Sequence, residues 1–173
     1  MRWLFGPPAI SGEERARCLE YIKSETALAA FQESEADLYN NALVKYGSGS
    51  LDAVAGQALV SAGRRLNAAT QEILGRRRSL PDVPEPASAT RFMWDETYRR
   101  LASWAQAQAS AIEALADGRE PVGGYVRQLL DDSEEAKERA LREEKSLLGR
   151  LRLSHTEITS LYAVEPQRDW YTP

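Results

Sequence analysis

Seven apolar residues, Leu51, Ala55, Leu59, Ala62, Leu66, Ala69 and Ile73, follow one another at spacings of 4-4-3-4-3-4. Only a helix places such a series on one face, and a stripe that wide must be buried against other helices. Leucine alternates with alanine along it, so a neighbouring helix is expected to come close at the alanine layers. Ser50 is a suitable N-cap, and Arg76, Arg77 and Arg78 close the helix where cations complement the negative end of its dipole.

The segment before it reads as a longer helix. Ser11-Gly12-Glu13-Glu14 has the form of a capping box. Cys18, Tyr21, Ile22, Leu28, Phe31, Leu38, Ala42 and Tyr46 mark the expected inner face, and Gly47-Ser48-Gly49 stops the helix. Glu25 and Glu35 lie at the edge of that face. They are nearly three turns apart, so they cannot share one ion, and they are expected to pair with arginines such as Arg64, Arg65, Arg99 or Arg100.

Residues 79–89 contain three prolines, which argues against helix and for an extended linker or crossover. A third helix is expected from Thr90 to about Asp117, with Trp94, Tyr98, Leu101, Ala105, Ile112 and Leu115 as its stripe and Gln108 interrupting it. A fourth starts at Pro121 and is expected to continue towards Ala163, with Gly123, Gly124 and Gly149 as its weak points. Its middle, from Asp131 to Lys145, is charged and nearly devoid of large apolar residues except Leu141. At 1.5 Å per residue this helix would measure about 64 Å, against about 40 Å for the second and third. It should therefore break at a glycine or reach beyond its neighbours.

The fold class expected is all-α: an antiparallel four-helix bundle in one domain spanning residues 1–173. Two helical hairpins, 11–78 and 90–163, are joined by the linker 79–89, and a tail covers 164–173. The short connections within each hairpin make sequential helices antiparallel neighbours.

Several functions are excluded by what the 173 residues lack. There is one cysteine and one histidine, so neither a thiolate zinc site nor a multi-histidine metal or di-iron centre can be assembled. No nucleophile elbow, phosphate loop or dinucleotide fingerprint occurs. No catalytic residue, metal or cofactor is therefore expected, and the chain reads as a non-enzyme. A net charge of −4 argues against nucleic acid as a partner. No apolar run is long enough to span a membrane. The apolar stretch Trp3-Leu4-Phe5 is also too short for a secretory signal. A cytoplasmic location is expected, with a virion or signal-independent secretion as alternatives. Arginine outnumbers lysine 18 to 4 and alanine reaches 25, a bias suggesting a GC-rich bacterial or phage genome.

Candidate sites remain. Trp3, Leu4 and Phe5 at one end, and Trp170 and Tyr171 at the other, are aromatic-rich segments beside prolines that suit docking to a protein partner or a second copy. The plainer alternative has them capping the chain's own core. Tyr21, Phe31, Trp94, Tyr98 and Trp104 mark a candidate ligand pocket between helices, or simply core. Arg76, Arg77 and Arg78 form a candidate anion contact. The leading expectation is an assembly or adaptor protein acting through protein–protein contacts, homo-oligomeric or as a subunit of a larger complex. The alternative is a regulatory or sensory bundle that responds to a small ligand.

Overall fold

The computed structural model describes residues 10–46, 53–80, 82–121 and 123–163. These residues are all-helical: α1 (Gly12–Tyr46), α2 (Ala53–Arg77), α3 (Ser88–Ala116), α4 (Gly123–Leu151) and α5 (His155–Tyr162), with a short 3-10 turn at Glu85–Ala87. None of the helices is long and apolar enough to cross a membrane.

The start of α1 is capped as its sequence implies. The Glu14 amide donates to Ser11 Oγ at 3.2 Å, and the Ser11 amide donates to Glu14 Oε2 at 2.9 Å. The expected cap of α2 at Ser50 lies outside the described residues. Two of the three linker prolines are tolerated closer to helix than expected. Pro84 sits in the extended conformation just ahead of the 3-10 turn, and Pro86 falls where its missing N–H is not needed. Helix α3 thus begins at Ser88, two residues earlier than its stripe suggests, and Pro86 and Ala87 are buried.

Three apolar clusters hold the helices together, and both expected hairpins contribute to each. Cys18, Tyr21 and Ile22 pack with Leu147, Leu151 and Leu161. Leu28 and Phe31 meet Ala69, Ile73, Trp94, Tyr98 and Ala140. Tyr39 joins Leu59, Leu66, Ala105 and Ile112. Helix α3 packs along both α2 and α4, and α1 packs along α2. The close approach foreseen at the alanine layers centres on a glycine. A Cβ at Gly63 would stand 3.6 Å from the Ala109 Cα and 3.4 Å from the Ile112 side chain.

The inner face of α1 departs from expectation at one point. Leu38 is 44% exposed and Tyr39 takes its place inside. Phe31, Glu35 and Tyr39 are all buried, four residues apart, so the buried face advances by fours and leaves the i+7 position outside. Leu115 likewise sits at the surface.

The fourth helix is shorter than expected, and its break is not at a glycine. Gly149 lies within α4, which ends at Leu151. Arg152 adopts a φ of 50°, and Ser154 starts α5. The cause is a second capping box: the Glu157 amide donates to Ser154 Oγ at 3.3 Å, and the Ser154 amide donates to Glu157 Oε2 at 2.9 Å. With 29 residues, α4 is about 44 Å long and matches α3, so the anticipated overhang does not arise.

Helix α5 folds back against α1. Leu161 enters the first cluster, Arg15 Nε donates to the Leu151 carbonyl at 3.2 Å, and Arg15 is ion-paired with Glu157. Arg15 and the Ser154 cap together lower the Glu157 pKa to about 2, from an ordinary value of 4.5. A depressed carboxylate stabilises the folded form above its unfolded pKa and loses that contribution as pH falls towards its folded pKa. Helix α5 should therefore stay docked above about pH 4.5 and loosen between there and pH 2. Chemical shifts of the α5 amides followed through acid should show this transition, and Arg15→Ala should move its midpoint to higher pH.

Candidate ligand cavity between α1, α3 and α4

The terminal candidates, Trp3, Leu4, Phe5, Trp170 and Tyr171, lie outside the described residues. The arginine triplet is divided. Arg76 Nε donates to Glu72 of its own helix at 2.9 Å, and Arg78 is exposed. Arg77 turns inward and is 1% exposed. The anion contact expected at Arg77 is thus met inside the protein, by carboxylates of neighbouring helices.

Arg77 anchors a buried polar network. Its Nη1 donates to Glu25 Oε1 on α1, and its Nε donates to Asp95 Oδ1 on α3 at 2.8 Å. Tyr21 Oη donates to the other Glu25 oxygen at 3.0 Å. The guanidinium also stands 4.8 Å from the centroid of the Tyr98 ring, within cation–π range. Burial pushes the Glu25 carboxyl above the usual range, against the pull of Arg77. Glu35 pairs with Arg65, one of the arginines anticipated for it. Arg77 was not among the expected partners of Glu25, because an arginine in a terminal RRR run reads as solvated. Nearby, Trp94 Nε1 donates to Glu144 Oε2 at 2.7 Å, and Tyr162 donates to the other Glu144 oxygen.

Removing one member of a buried ion pair strands the other charge, which typically costs about 3–5 kcal/mol. Glu25→Ala should lower unfolding free energy by about that amount in urea denaturation. Arg77→Lys should also destabilise, because one ammonium cannot reproduce the divergent contacts to Glu25 and Asp95 together with stacking on Tyr98.

The five aromatic candidates separate. Tyr21 and Phe31 are fully packed in two different clusters and serve as core. Trp94, Tyr98 and Trp104 instead line one cavity of about 460 Å³. Helix α3 supplies its floor through these aromatics and Leu101. Helix α1 contributes Ala29, Gln32, Ala36 and Asn40, and α4 contributes Leu130, Ser133 and Lys137. The cavity exists because both flanking helices offer small or polar side chains opposite the α3 aromatics, where a filled bundle would carry leucines. A second hollow of about 420 Å³ shares Asn40, Trp104 and Leu130 with it and extends towards Leu43, Ile112 and Val126.

Two wall residues are at least nine-tenths buried with polar groups that make no hydrogen bond among the described residues: the Tyr98 hydroxyl and the Gln32 amide. Burial, with Glu25 adding to it, raises the Tyr98 pKa, so the phenol stays protonated and can donate. At the mouth stand the exposed side chains of Glu33, Asp37, Glu134 and Lys137, and the Lys137 ammonium is 3.6 Å from Glu33 across the gap between α4 and α1. Gln32 and Ser133 were missed from sequence. Their signal was the pairing of an alanine-rich stretch of α1 with the charged middle of α4.

Among the described residues no group of three His, Cys, Asp or Glu side chains is placed to hold a metal ion. Cys18 is buried, and burial raises its thiol pKa. No protein-family model, curated protein or solved structure matches the chain.

Proposed function

We propose that the protein is a non-enzymatic, ligand-responsive helical bundle, with the cavity between α1, α3 and α4 as its binding site. In this reading the four long helices form an antiparallel bundle. Glu25 opposite Arg77, Glu35 opposite Arg65, and Trp94 opposite Glu144 support that arrangement. The observation that carries the functional reading is the convergence of Trp94, Tyr98 and Trp104 on one cavity whose wall also carries the Tyr98 hydroxyl and the Gln32 amide, neither of them hydrogen-bonded among the described residues. Its volume falls in the range of small-molecule sites, which combine an apolar lining with a few polar groups. A ligand wedged between α1 and α4 would alter their separation, which gives a bundle a means of signalling.

A thermal-shift screen with small aromatic compounds tests this. A compound held at about 100 times its dissociation constant stabilises by about 2.7 kcal/mol, a readily measured rise in Tm. Such compounds should also perturb the tryptophan fluorescence contributed by Trp94 and Trp104. A chain whose Tm and fluorescence respond to none of them would contradict the reading.

The assembly or adaptor reading retains one supporting observation. Val44, Val54, Leu115 and Tyr125 are all exposed, and they lie near the ends of α1, α2, α3 and α4 that adjoin the short connections. Exposed apolar side chains grouped in this way suit contact with a protein. Helix α4 matches α3 in length and offers a partner no overhanging surface, so the cavity carries more weight. If this end mediates self-association, the double variant Leu115→Glu/Tyr125→Glu should remain monomeric in sedimentation at concentrations where the parent chain associates.

A further inference from the structure

The polar groups of the cavity are unequally charged, and that inequality bears on what it can hold. Glu33, Asp37 and Glu134 stand at the mouth against one cation, Lys137, which already faces Glu33 at 3.6 Å. An anionic ligand would meet three carboxylates and find the single ammonium engaged. A purely apolar ligand would leave the Tyr98 hydroxyl and Gln32 amide buried without partners, which is costly. An ammonium on an aromatic body that also carries a second polar atom fits both conditions. The body lies on indole and phenol faces, and a cation near tryptophan gains further from the ring quadrupole.

We propose that the cavity between α1, α3 and α4 binds a small organic cation, an aromatic body bearing one ammonium group and a second polar atom. The ammonium sits at the mouth among Glu33, Asp37 and Glu134. The body rests on Trp94 and Trp104, and Tyr98 and Gln32 bond a polar atom of the ligand deeper in the cavity. This inference rests on the ligand-binding reading above, and its test separates the two.

The full chain is titrated calorimetrically at pH 7 and low salt with three probes of similar shape, each carrying an indole N–H as its second polar atom: tryptamine, indole-3-propionic acid and tryptophol. The ammonium should bind at least about tenfold more tightly than the carboxylate, and added salt should narrow the gap. Glu33→Gln/Glu134→Gln should remove most of that preference while leaving the alcohol's affinity unchanged. Ala36→Leu, which fills the cavity, should abolish binding of all three. Tyr98→Phe, which keeps the ring and removes the hydroxyl, should weaken binding several-fold and serves should Ala36→Leu fail to fold. Equal affinity for carboxylate and ammonium would overturn the cation inference and leave the ligand-binding reading standing. Ammonium binding that survives both cavity variants would place the ion elsewhere and overturn the inference. No binding of any probe at millimolar concentration would overturn both.

Discussion

The arrangement of the first three helices depends on the pair formed by Arg77 and Glu25. Arg77 ends α2, Glu25 lies about a third of the way along α1, and Asp95 lies near the start of α3. Placing all three at one level leaves little freedom for these helices to slide past one another. A buried ion pair brings modest net stability, because desolvation offsets most of the attraction. It does penalise every register that separates the charges, since each such register strands a charge in an apolar interior. Tyr21 on one side of the pair and Tyr98 on the other carry the first and second apolar clusters up to the polar layer.

This layer also fixes the floor of the cavity. Tyr98 lies beneath the Arg77 guanidinium on one side and beside Trp94 on the other, with ring centroids 5.9 Å apart. Trp94 is tied in turn to Glu144 of α4. Two of the three aromatic residues in the cavity are therefore held by contacts to α2 and α4 rather than by packing across the cavity itself. The hollow persists because its floor is positioned from behind.

Much of the helical organisation was legible in the amino-acid sequence, since apolar periodicity and capping residues act locally. The α1 capping box and the face that includes Cys18, Tyr21, Ile22, Leu28 and Phe31 could be read directly. The exchange of Leu38 for Tyr39 could not, because a 3.6-residue period leaves two adjacent positions equivalent near the edge of a stripe. A break in the fourth helix was legible from its length, but its position after Leu151 was not, because Ser154 and Glu157 end the helix by offering a new start rather than by disfavouring helix as glycine does. The inward turn of Arg77 depends on carboxylates 52 residues earlier and 18 later, a long-range pairing that no local pattern specifies.

Two sequence features that look unrelated have one structural meaning. The charged middle of α4 and the alanines of α1 each read as ordinary surface or close-packing signals. Facing one another above the α3 aromatics, they leave volume unfilled. If the flanking helices could close on it, the apolar floor would be buried and the cavity lost. The bridge from Lys137 to Glu33 spans the gap with two long, half-exposed side chains rather than drawing the backbones together. Below it, Ala140 shares one apolar cluster with Phe31, and Leu147 shares another with Tyr21. A cavity framed in this way exists before any ligand arrives, so binding requires little reordering of the protein and affinity depends mainly on the contacts made.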